Sequence, residues 1–235
     1  MTRHSYGPHR SQFAELRLPT GNGSWPVAVV IHGGCWRTRY RLDLMDGLCA
    51  DLAGRGWASW NVEYRRVGFR GGGGWPATFD DIAAAIGRLD VVDAPFERSR
   101  VVAIGHSAGG HLALWAAARG LVSGAVGQAA VSDLERAARD GVCGDMPRRL
   151  LGGTPEQVPD RYAAASPRQL VPIAAPLLLV HGGRDDVVPV AMSRDFAAAA
   201  GPACELAERP DDGHFEHIDP ASQAWATVVA WLDRL

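Results

Sequence analysis

The sequence predicts an α/β fold with a mostly parallel central sheet and helices on both faces. Three observations point there. The runs VAVVI (27–31), VVAI (101–104) and LLLV (177–180) are aliphatic throughout, with no polar alternation, as strands covered on both faces are. Longer segments of helical period separate them. Strand-length and helix-length segments then alternate along the chain, the pattern of a parallel sheet whose crossovers are helices.

In chain order, strands are expected over 14–18, 27–31, 58–62, 101–104, 124–129, 177–180 and 204–207. Helices are expected over 43–54, 79–89, 108–119, 190–200 and 222–235. The span 132–173 is less regular, punctuated by GGTPEQVPD and SPRQLVP. It is expected to form short helices crossing the top of the sheet, as an excursion within a single domain over 1–235. The glycine-rich RGGGGWP at 70–76 lacks the GK[ST] ending of a phosphate loop and does not follow the first strand, so it is read as a local loop.

Composition sets the outer bounds. A chain of 235 residues suits one sizeable core. Hydrophobic residues at 47% and charged residues at 21% fit a soluble globular protein. All 24 basic residues are arginine and the net charge is -2, which argues against nucleic acid or an anionic membrane as partner. No apolar run nears the roughly 20 residues that span a bilayer, and MTRHSYGPHRSQF lacks a signal-peptide core. Cys35, Cys49, Cys143 and Cys204 show no C-x-x-C spacing. The expectation is a cytoplasmic protein with reduced thiols, no metal and no cofactor. Oligomeric state is not legible.

The chemistry concentrates at 101–117, VVAIGHSAGGHLALWAA. Gly105-His106-Ser107-Ala108-Gly109 fits G-x-S-x-G between an apolar strand and a helix. A serine there sits in a tight turn that lifts its hydroxyl clear of the sheet. The helix beginning after it aims free N–H groups and a positive dipole end at the same place. A nucleophilic serine needs a base, an acid to orient the base, and donors for the oxyanion. Asp185 lies just past the strand LLLV. His214 lies in PDDGHFEHIDP before the last helix, which gives the order Ser–Asp–His. The donors come from IHGGCW (31–36): the Gly34 and Cys35 amides, joined by that of Ala108. His32 is read as holding this loop.

These blocks, with NVEYRR, GGWPATFDDI, GHSAGGHLAL, HGGRDDVVP and GHFEHIDP, resemble an α/β-hydrolase of the serine esterase type. Within that superfamily they resemble the HGGxW group of arylformamidases and related small esterases. The resemblance runs from about residue 27 to the C-terminus. It implies Ser107 as nucleophile, His214 as general base, Asp185 as its partner, and Gly34, Cys35 and Ala108 as oxyanion-hole amides. It implies a small ester or aryl-formamide as substrate, cleaved through an acyl-serine without cofactor. Acyl transfer by the same residues, and a silent ligand-binding homologue, are the alternatives.

Several residues compete for these roles. Asp186 neighbours Asp185, but Asp185 stands four residues after His181, as in the related pattern. His217 is read as a solvated or capping histidine, and His106 and His111 as packed ones. Cys35 is read as structural or as lining the pocket with its side chain, and Trp36, Tyr64 and Trp75 as either pocket wall or loop packing. Glu63 and Arg65 are read as solvated or paired charges.

Overall fold

The computed structural model describes residues 1–235. Eight strands form one sheet: β1 (Thr2–Ser5), β2 (Phe13–Arg17), β3 (Trp25–Ile31), β4 (Ala58–Glu63), β5 (Phe96–His106), β6 (Gly124–Gln128), β7 (Leu177–Gly182) and β8 (Cys204–Arg209). Their spatial order is β1-β2-β4-β3-β5-β6-β7-β8. β1–β2 and β2–β4 pair antiparallel, and every other pair is parallel.

Period-two alternation divides the aliphatic strands between two cores. Val27, Val29 and Ile31 of β3 face the larger core, with Phe79 and Ile82 of α2 (Ala77–Gly87), Leu112 and Leu114 of α3 (Ala108–Ala118), and Phe196 of α7 (Ala191–Ala200). Ala28 and Val30 face the other, with Leu48 and Leu52 of α1 (Asp46–Gly54) and Trp225, Val228 and Leu232 of α8 (Gln223–Leu232). Each of these large side chains, fully buried, contributes about 1.5–3 kcal/mol of transfer free energy. Polar interruptions in such strands would therefore be costly, which is why the central ones read as unbroken aliphatic runs.

The segment after β6 forms α4 (Leu134–Asp140), α5 (Met146–Leu151) and α6 (Pro159–Ala165). Leu134, Ala137, Leu150 and Tyr162 from it join the larger core. The strand order reverses around β3: the chain moves from β3 to β4 on one side, then to β5 on the other. Loops leaving the carboxyl ends of β3 and β5 thus diverge to opposite faces and open a crevice between them, the usual ligand position in such sheets.

Three elements depart from expectation. β1 was not expected: TRHS is polar, and as an edge strand pairing on one side only it carries no buried face to announce it. β5 starts at Phe96, earlier than expected, because the charged and more exposed stretch 97–100 separates buried Phe96 from the aliphatic run. The helix expected over 43–54 is a 3₁₀ turn at Leu42–Met45 followed by α1.

Candidate active site

β5 ends at His106 and α3 starts at Ala108, so Ser107 alone makes the reversal. Its φ of 56° puts a non-glycine residue in the left-handed region, at a cost of about 1–3 kcal/mol. Hydrogen bonds hold it there: the Ser107 N–H donates to the Gln128 carbonyl at 2.8 Å, and its own carbonyl accepts from the His111 N–H at 3.0 Å. A Cβ at Gly109 would collide with the Ile31 and His32 carbonyl oxygens. Glycine there lets α3 lie directly on the end of β3. Ala108, as the first residue of α3, has an N–H with no acceptor inside the helix.

Asp185 lies three residues beyond β7, with no exposed side-chain surface. Its two oxygens do different work. Oδ1 accepts the Val187 and Val188 N–H groups at 2.9 and 2.8 Å, which fixes the loop. Oδ2 accepts from His214 Nδ1 at 2.7 Å and lies 3.3 Å from His181 Nε2. Burial alone would raise the carboxyl pKa; the bonds from His181, His214 and Val188 outweigh it and hold the group far below the usual carboxylate range. An ionised carboxylate can only accept, so the proton between them belongs to His214 Nδ1, and Nε2 keeps its lone pair. Asp186 is exposed.

The loop carrying His214 is tied to the serine turn twice. The Nε2–H of His106, the residue before Ser107, donates to the His214 carbonyl at 2.8 Å, with ring centroids 4.6 Å apart. Gln128, whose carbonyl accepts the Ser107 N–H, uses its side-chain amide to donate to the His217 carbonyl at 2.6 Å. Burial, with the neighbouring His214, pushes His106 down to about 3, so it stays neutral. Neither His106 nor Gln128 stands out in sequence as a brace for the loop that carries His214. His217 is fully buried, on the 3₁₀ turn Glu216–Ile218, which corrects its reading as a solvated residue. Contact with the core is set by tertiary packing that H-F-E-H does not reveal.

The third loop follows β3. A Cβ on Gly33 would sit 2.8 Å from the His106 carbonyl oxygen and 3.1 Å from Ser107 Cβ, so this loop rests on the serine turn. Gly34, Cys35 and Trp36 take φ values of 100°, 51° and 54° in succession. Neither the Gly34 nor the Cys35 N–H donates to a backbone acceptor. His32 holds the loop: its Nδ1–H donates to the Gly33 carbonyl at 2.8 Å, and the Tyr64 hydroxyl donates to the His32 carbonyl at 2.9 Å. Behind His32, buried Glu63 pairs with Arg66 at 2.7 Å and lies 3.4 Å from His32 Nε2. Burial opposes ionisation of Glu63, but His32, Arg66 and the Leu42 N–H lower its pKa below the ordinary value. Arg65 pairs with buried Asp81 through both Nε and Nη2, so Glu63 and Arg65 are both paired charges.

Trp36 and Tyr64 have no exposed surface. They support the loop from within the core and present nothing for a ligand to touch. Trp75 is half-buried, edge-on to Phe79, and its N–H donates to the Leu150 carbonyl at 2.7 Å. A cavity of about 490 Å³ lined by Val27, Ile86, Phe96 and Val101 lies at the amino-terminal ends of β3 and β5, away from Ser107.

Cys35 forms a disulfide with Cys143, between α4 and α5. This corrects the expectation of reduced thiols at these two positions and gives Cys35 the structural one of its two expected roles. A separation of 108 residues leaves no local spacing from which the pair could be read. Cys49 and Cys204 are free, and burial pushes each up to about 12, well away from a reactive thiolate.

The BD-FAE family profile matches residues 15–199. The chain belongs to the BD-FAE family. The matched span of this BD-FAE member includes the HGGCW loop, Ser107 and Asp185 and stops short of His214. Esterase LipC of Mycobacterium tuberculosis is 28% identical over 222 residues, covering 83% of this chain. The chain spans only 54% of LipC's length. Among solved structures, a truncated carbohydrate esterase from gut microbiota superposes with a TM-score of 0.86 at 20% identity, covering 100% of this chain and 95% of its own. The thermophilic esterase Est2 of Thermogutta terrifontis superposes with a TM-score of 0.79 at 22% identity, covering 99% of this chain and 90% of its own. These likenesses establish an α/β-hydrolase fold. No helix is long and apolar enough to cross a membrane.

Proposed function

We propose that this protein is a serine carboxylesterase acting on small carboxylic esters through an acyl-serine intermediate. One observation carries the reading: Asp185 holds His214 by Nδ1 at 2.7 Å, on a loop bonded to the residue beside Ser107. With Nδ1 so engaged, His214 Nε2 keeps its lone pair, and in this reading that lone pair serves Ser107. His214 takes the Ser107 proton as Oγ attacks the ester carbonyl. The oxyanion is received by the Gly34, Cys35 and Ala108 N–H groups, each such donor worth about 3–4 kcal/mol of barrier. The alkoxide leaves with the proton from His214, which then activates water to release the acid.

An ester is favoured over an aryl-formamide by the company the chain keeps. LipC and Est2 are named esterases, and the Thermogutta enzyme is phosphoramylated by tabun, a reaction of activated serines. The test is steady-state hydrolysis of p-nitrophenyl acetate and of N-formylkynurenine by wild type and Ser107→Ala. The proposal predicts preference for the ester and a loss of about 10⁴-fold or more in the variant. Equal rates for the two proteins would remove Ser107 as nucleophile, and preference for N-formylkynurenine would make the formamide the substrate.

A further inference from the structure

The oxyanion loop has a covalent brace outside the catalytic groups. We infer that the Cys35–Cys143 disulfide positions the Cys35 amide for catalysis, so that a dithiol reductant lowers turnover; the inference rests on the proposed esterase reading. Cys35 carries one of the two loop N–H groups assigned to the oxyanion. That N–H must stay free of protein acceptors to do its work, so it cannot also anchor the loop. On the same peptide, the bond from the Arg37 N–H to the Gly34 carbonyl, at 3.0 Å, is the one backbone hydrogen bond. Two successive non-glycine residues, Cys35 and Trp36, have positive φ, a conformation that relaxes unless something holds it.

Cys143 supplies the hold. Its Cα is 5.7 Å from that of Cys35, and its own position is fixed from both sides. Val142 and Met146 bury into the larger core, and the Gly144 N–H donates to the Gly141 carbonyl at 2.8 Å. Arg37 Nη2 donates to the Cys143 carbonyl at 3.2 Å, a second link between the same two segments. Cys143 is thus a positioning residue that acts through Cys35. Both cysteines are half-buried, so solvent reagents reach the bond. A dithiol such as dithiothreitol attacks one sulfur through its thiolate and then closes on itself. It loses two electrons and two protons and leaves two protein thiols, one at Cys35 and one at Cys143.

The experiment compares kcat and KM for p-nitrophenyl acetate in wild-type protein before reduction, after reduction and removal of the dithiol under argon, and after reoxidation. Thiol titration in denaturant, rising from two to four, confirms the state. Circular dichroism confirms that the reduced protein is folded at the assay temperature. Loss of a whole oxyanion donor costs about 10²–10³ in kcat, and a displaced donor costs less. The expected result is a fall of about 10- to 100-fold in kcat, KM within about threefold, and recovery on reoxidation. Cys143→Ser is expected to show the low kcat permanently and to ignore the reductant; the wild-type arm stands by itself should that variant fold poorly. Unchanged kcat with four titratable thiols overturns the inference and leaves the esterase reading intact. A rise in KM at constant kcat also overturns it, since the bond would then shape binding. An oxidised protein without hydrolytic activity overturns both.

Discussion

Asp185→Asn separates the proposed orienting role of the carboxylate from its structural one, because its two oxygens are divided. Oδ1 holds two main-chain N–H groups at 2.9 and 2.8 Å, so an asparagine must place its carbonyl oxygen there or leave both donors unpaired. Its NH₂ then occupies the Oδ2 position, 2.7 Å from His214 Nδ1. An amide nitrogen cannot accept, so the imidazole moves its proton to Nε2 and loses the lone pair that the proposed mechanism uses. The ring stays in place with the wrong tautomer. A change of that kind costs about 10⁴ in kcat, or about 5.5 kcal/mol of barrier. The assay is steady-state hydrolysis of p-nitrophenyl acetate at saturating substrate, with thermal unfolding followed in parallel. The loop bonds survive, so melting is expected near the wild-type temperature. Turnover within tenfold of wild type in a folded Asp185→Asn protein would refute the reasoning.

Two further outcomes follow from the same geometry. His106, His111 and His217 are buried, and burial depresses them to about 3, 4 and 4 from an ordinary value of 6.5. The unfolded chain therefore binds protons the native one refuses, and stability falls as pH drops below about 6.5 toward the native values. By pH 5 each histidine removes about 2 kcal/mol, so urea unfolding should show a loss of about 5–6 kcal/mol between pH 7 and pH 5; equal stability at both would contradict it. Gly109→Ala drives a methyl into the Ile31 and His32 carbonyl oxygens and should cost about 3 kcal/mol or more of unfolding free energy. A value within 0.5 kcal/mol of wild type, on the scale of a neutral surface change, would show that β3 and α3 have room to part.

What the sequence makes legible follows physical locality. β3, β5 and β7 are readable because strands covered on both faces admit little besides aliphatic residues. Ser107 is readable because G-x-S-x-G sits at a strand-to-helix junction, and Asp185 because it stands a fixed distance past a buried strand. Features built from distant contacts are silent. The Cys35–Cys143 bond joins segments 108 residues apart. The bond from His106 to the His214 carbonyl joins two loops that share no local pattern. Aromatic side direction is equally hidden: Trp36 and Tyr64 follow strands whether they line a pocket or, as here, turn fully into the core. β1 escapes notice because a polar edge strand obeys no burial rule.

The central claim is that Ser107 is a nucleophile activated by His214. A fluorophosphonate probe, followed by mass spectrometry of the digested protein, tests it most directly. The account predicts one adduct per chain on the peptide containing Ser107, formed by wild type and abolished in His214→Ala. No adduct in the folded wild type, or one on any other residue, would contradict it.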